Sequence, residues 1–141
     1  MNKDSKTVKE DDPFTQEELI GFIEHHKAKK PQFQEMEQAF ISLSYLSGGR
    51  VSEIVNRVKV RHITYTISKE NNRKYMMIRL PHTLKNKRHP ARILPTPIDK
   101  EGKFIGFIDN YIKVDKLERD DTMFVFNRTT GWRIIKNTTG E

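Results

Sequence analysis

Between Ala39 and Ile67 the hydrophobic repeat of the chain changes period, from about 3.6 residues to 2. No other feature restricts the fold class as much. The first part, from Ala39 to Ser47, is an amphipathic run that Gly48-Gly49 brings to an end, because glycine enters the left-handed C-cap conformation without a Cβ penalty. Arg50 follows at once, and Glu53 stands three residues later, one helical turn away. A short helix over Val51–Val58 is expected to bury Val51, Ile54, Val55 and Val58. Beyond it, Ile63, Tyr65 and Ile67 alternate with His62, Thr64 and Thr66, the pattern of a strand with one buried face.

The flanks extend this helix-to-strand plan. Residues 1–12 are polar and read as a flexible lead-in. A first helix opens with Thr15 as N-cap and Glu18 three residues on, a capping box, and Phe14 and Leu19 are spaced for a hydrophobic staple. Leu19, Phe22, Ile23 and His26 form one stripe, which Pro31 closes. A second helix is expected from about Gln32 to Ser47, with Met36, Ala39, Phe40, Leu43 and Leu46 inward. After the first strand, a turn leads to a second strand at Lys74–Leu80, and the loop Pro81–Pro90 leads to a third at Ala91–Leu94. Pro95-Thr96-Pro97 opens a further helix carrying Phe104, Phe107, Ile108 and Tyr111. "DDTMFVFN" is a short apolar segment between turns, and "TTGWRIIKN" begins a last helix. The expected class is α+β, mostly helical with a small three-stranded antiparallel sheet.

The 141 residues suit one domain with a modest core. No apolar run approaches the ~20 residues of a membrane span, and the N-terminus has no signal-like apolar core. There is no cysteine, so disulfides and thiolate metal sites are excluded. A soluble, cytoplasmic protein is expected, with no membrane partner. The net charge of +7 is unevenly placed: residues 57–92 carry eleven basic side chains against the single acid Glu70, while residues 93–141 carry eight of each sign. Such a block is the electrostatic footprint of a nucleic-acid-binding face. The plainer alternative is a solvated lysine-rich surface.

Arg50 and Glu53 admit two readings. They can be a surface ion pair on one helix, or an arginine held by a carboxylate so that its fork meets two phosphate oxygens. His25-His26 carries no metal spacing, since adjacent helical positions diverge by about 100°, and the pair is expected at the surface. The four tyrosines, Tyr45, Tyr65, Tyr75 and Tyr111, read as core or strand packing.

The order of amphipathic helix, Gly48-Gly49, Arg50, Val51-Ser52-Glu53-Ile54 and then a basic strand resembles the first catalytic-arginine motif of the tyrosine recombinases, the phage-type integrases. Arg92-Ile93-Leu94-Pro95 is similar to that family's third strand. The resemblance implies a small antiparallel sheet whose second hairpin carries a catalytic lysine. Lys85 is the best match and Lys87 the second, and such a lysine delivers a proton to the departing 5′ oxygen of DNA. The alternative role for Lys85, Lys87 and Arg88 is phosphate contact without chemistry. The resemblance implies catalytic roles for Arg50 and Lys85, with Glu53 supporting Arg50, and DNA contacts at Lys87, Arg88, His89, Arg92 and Arg79. It implies no cofactor and no metal. Its partners are duplex DNA and full-length recombinase subunits, and its place is the nucleoid.

His89-Pro90-Ala91-Arg92 spells the family's second box, His-x-x-Arg, but that box belongs on a later helix, which Pro90 would break. The family also needs a tyrosine nucleophile near the C-terminus, and all four tyrosines lie too early. Residues 13–141 are therefore expected to be a truncated, partial recombinase-like catalytic domain, active in recombination or integration only with the missing half. Two other readings stand beside it: a non-catalytic DNA-binding remnant or regulator, and a basic RNA-binding protein. The last is disfavoured by the lack of an aromatic strand motif for stacking bases.

Overall fold

The computed structural model describes residues 15–47, 51–67, 69–70, 72, 74–80, 92–95 and 102–139. Within them lie α1 (Gln16–His25), α2 (Gln34–Ser47), α3 (Val51–Ile54), β1 (Ile63–Ile67), β2 (Lys74–Leu80), β3 (Arg92–Pro95), α4 (Lys103–Val114) and α5 (Arg128–Thr139). The class is α+β, with one three-stranded antiparallel sheet in the order β1-β2-β3.

α1 starts where its sequence dictates. The Glu18 amide donates to Thr15 Oγ1 at 3.1 Å and the Thr15 amide donates to Glu18 Oε1 at 2.9 Å, completing the capping box. Phe14, the other half of the expected staple, lies outside the described residues. α2 begins two residues later than expected, after a 3-10 turn at Pro31–Phe33. It is the central element: Ala39, Phe40, Ile41, Ser42, Leu43, Leu46 and Ser47 are all buried, so it is enclosed from more than one side. α4 covers it most extensively, and α1 and α5 complete the enclosure.

α3 is a single turn rather than the expected two. Asn56 adopts φ 61°, a left-handed conformation that asparagine tolerates better than most residues. Its amide donates to Phe124 O at 2.7 Å, and its Nδ2 donates to Phe126 O at 2.8 Å. The "DDTMFVFN" segment runs antiparallel to residues 56–61. Met123 N–H donates to Val58 O, Val60 N–H to Asp121 O and Arg61 N–H to Arg119 O. This segment delivers Met123 and Phe124 to the core, where Phe40 meets Phe124 and Phe126 edge-on at centroid distances of 5.3 and 5.1 Å. Val51, Ile54, Val55 and Val58 are buried as expected.

The sheet pairs Ile63 with Ile78 and Tyr65 with Met76, and Ile78 in turn with Leu94. Ile63, Met76 and Ile78 face the core, but the buried face of β1 ends early: Ile67 is 62 % exposed. β3 lies one residue beyond the expected bounds. α4 is entered through Gly102 at φ 71°, and the expected start at Pro95-Thr96-Pro97 falls largely outside the described residues.

Candidate nucleic-acid interface

Glu53 is the one expected catalytic-site residue that the described structure contains with its side chain. It sits on α3 and is only 6 % exposed. A carboxylate is buried at a free-energy cost unless a cation or hydrogen-bond donors compensate it. This is far from the solvated surface pair that Arg-x-x-Glu spacing also allows. Arg50, Lys85, Lys87, Arg88 and His89 lie outside the described residues. Arg92 is described through its backbone alone, as the first residue of β3, paired with Leu80.

Arg79 stands exposed on β2. The register explains its surroundings. One step beyond the Ile63–Ile78 pair, a 3-10 turn at Val60–His62 brings His62 alongside Arg79. His62 is held in place by the Lys59 amide, which donates to its Nδ1 at 2.9 Å. Burial lowers the pKa of this imidazole below its usual 6.5, and the positive charges of Arg61, Lys59 and Arg79 lower it further. Lys59, Arg61, His62 and Arg79 thus form one electropositive cluster at the entrance to the sheet. Arg61 reaches Asp120 at 3.5 Å, but both side chains are well exposed and such a pair contributes little. Among the described residues no carboxylate pairs with Lys59 or Arg79. Lys59 and Arg61 belong to the basic block and His62 to the strand pattern, but no sequence motif assigns any of them to the interface. The signal was their position immediately before a strand that antiparallel pairing folds back onto Arg79.

Tyr45, Tyr65 and Tyr111 are committed to structure. Tyr111 is buried, its hydroxyl donates to Met123 O, and burial, then Asp115 and Asp121, push its pKa up to about 12. Tyr65 donates to Asp109 on α4, and Tyr45 accepts from Gln16 Nε2 while its ring lies against Phe104. The side chain of Tyr75 lies outside the described residues.

The expectation for the histidine pair is half corrected. His25 is exposed, but His26 is 8 % exposed and joins three helices. Its Nε2 donates to Glu37 Oε1 at 2.7 Å, and its Nδ1 is hydrogen-bonded to Thr138 Oγ1 at 2.8 Å. The i+7 stripe position, not the adjacency to His25, decided its environment. Among the described residues no group of His, Asp and Glu side chains is arranged to hold a metal ion.

A groove of about 530 Å³ opens beside Val51 and Ser52, walled by Leu19, Ile41, Trp132 and Ile135. None of its lining residues is a carboxylate or a histidine. Among the described residues no helix is long and apolar enough to cross a membrane. No protein-family model matches the chain, and no curated protein matches it.

Proposed function

We propose that the chain is a DNA-binding domain of the tyrosine-recombinase type, serving DNA recombination or integration in the cytoplasm at the nucleoid. It supplies the arginine half of the active site and binds duplex DNA without cleaving it alone. The observation that carries the reading is the cluster of Lys59, Arg61 and Arg79 around His62 at the entrance to the sheet, in the midst of the basic block of residues 57–92. Phosphates are the natural counter-charge for such a cluster.

The burial of Glu53 supports the more specific assignment. In this reading Glu53 is compensated by the Arg50 guanidinium, whose remaining donors stay aimed at a phosphate. Lys85, or Lys87 in its place, is the proton donor to the leaving oxygen. Lys87, Arg88, His89 and Arg92 contact the backbone of the same duplex, and full-length recombinase subunits supply the nucleophile. The commitment of Tyr45, Tyr65 and Tyr111 to packing and hydrogen bonds supports the view that none of them attacks phosphorus.

The test is duplex binding followed by fluorescence anisotropy at increasing salt. Affinity is expected to fall with a log–log slope of ~0.9 per phosphate contact. R61E/R79E is expected to weaken binding across unrelated sequences. An unchanged affinity in that variant overturns the assignment of this face. A nicked suicide duplex is expected to give no covalent adduct, and an adduct would show that the chain does contain a nucleophile.

A further inference from the structure

A second cationic site lies away from the sheet. The connector between α1 and α2 carries Lys27, Lys29 and Lys30, and α5 carries Arg133 and Asn137 on one face, four residues apart. These five side chains and Phe33 surround a cleft of about 220 Å³ that no residue of the sheet or of the basic block lines. Lys27, Lys29, Lys30 and Arg133 are all exposed, and among the described residues no carboxylate is ion-paired with any of them. The only acid lining the cleft, Glu37, already accepts from His26 Nε2.

The connector is held, not loose. The Ala28 amide donates to Gln34 Oε1 at 2.8 Å, Gln34 Nε2 donates to His26 O at 2.7 Å, and Gln38 Nε2 donates to Ile23 O at 2.9 Å. Gln34 therefore fixes the connector on both sides of Lys27, and Gln38 ties the last turn of α1 to α2. Mutual repulsion among four cations opposes this arrangement, so its natural occupant is a multiply charged anion. Phe33, at 39 % exposure, adds an aromatic face at the lip of the same cleft.

We propose that this cleft is a nucleoside-phosphate site: the four cations take the phosphate oxygens, and the Phe33 ring takes the face of a base. The ligand is either a free nucleotide or one unit of a single strand, since both present the same chemistry. Charge-assisted hydrogen bonds to phosphate are the strong term, and ring stacking adds a sequence-tolerant one. The site is independent of the duplex-binding face proposed above.

The experiment is an amide-resolved NMR titration of the intact chain with pyrophosphate, ATP and a short single-stranded oligonucleotide in parallel. Pyrophosphate is expected to shift Lys27–Lys30, Phe33, Arg133 and Asn137. ATP or the oligonucleotide is expected to bind more tightly than pyrophosphate. F33A should weaken that ligand by about tenfold while leaving pyrophosphate unchanged. K29Q/K30Q/R133Q, with all three positions on the surface, should keep the wild-type melting temperature and weaken every ligand by tenfold or more. Tighter binding of ATP than of the oligonucleotide identifies a free nucleotide as the source, and the reverse identifies a strand. Shifts confined to Lys59–His62 and Arg79, or equal affinities in the triple variant and the wild type, overturn the site. Because R61E/R79E leaves the cleft intact, loss of duplex binding there with retained ATP shifts separates failure of one site from failure of the other.

Discussion

The Tyr65 hydroxyl donates to Asp109 Oδ1 at 2.7 Å and so ties the first strand of the sheet to α4. The bond is partly buried and one partner is charged. Y65F is therefore expected to cost about 1–2 kcal/mol, measured by urea unfolding. The same bond has an alkaline signature. Burial, then the bond to Asp109, then the charge of Asp109 raise the Tyr65 pKa well above its usual 10.0. A group whose native pKa is raised contributes stability below its unfolded value and loses it as pH rises. Stability should therefore decline above pH 10 in the wild type and decline less steeply in Y65F. Equal slopes would show that the hydroxyl is not held as described.

His26 reports on helix assembly. It bridges Glu37 of α2 and Thr138 of α5 from the end of α1. Replacing it with alanine leaves Glu37 without its partner, and H26A is expected to cost about 3 kcal/mol. T138V removes the hydroxyl that bonds both His26 Nδ1 and Ile134 O, and should cost about 1–2 kcal/mol. Because the two residues touch, the double variant should lose less than the sum of the single losses. Strict additivity in denaturant melts would dissolve the network.

Gly131 lets α5 pack closely against Val51 and Phe40. A Cβ there meets Val51 Cγ1 at 2.8 Å and Phe40 Cζ at 3.1 Å. Alanine is the better helix former by about 1 kcal/mol, but crowding a packed core costs about 1–3 kcal/mol, and Phe40 is fully buried. G131A should therefore be destabilising on balance. Adding V51A, which removes the methyl in contact, should recover part of the loss. A G131A melting temperature at or above the wild type would mean that α5 shifts freely.

Local signals in the sequence were reliable where short-range physics decides the outcome. Thr15 and Glu18 spelled a capping box and form one, and the alternation at Ile63 and Tyr65 marked a strand because side chains in a strand point to alternate faces. Long-range partners were not legible. Nothing near Asn56 says that its amide will meet Phe124, and nothing near His26 names Thr138, because the chain closes those contacts over 68 and 112 residues. The expected second turn of α3 failed for the same reason: residues 56–61 find backbone partners in 119–124 and leave the helix. At the candidate interface the charge distribution marks the block, but only the pairing of β1 with β2 shows that His62 and Arg79 share a place.

That shared place makes His62 a probe of the interface. Its pKa lies below 6.5 because of burial and of Arg61, Lys59 and Arg79. The unfolded chain therefore takes up this proton at a higher pH than the fold does, and stability falls as pH drops from 6.5 toward the lowered native value. An NMR titration of the imidazole should give a midpoint below 6.5, and R79Q should move it upward by removing one of the charges responsible. Bound phosphates counter the same cations, so DNA should raise the midpoint too. Duplex affinity should then tighten as pH falls through this range, and H62Q should abolish that pH dependence while retaining the salt dependence carried by Arg61 and Arg79. A His62 midpoint that ignores both R79Q and saturating duplex would place the DNA elsewhere on the molecule.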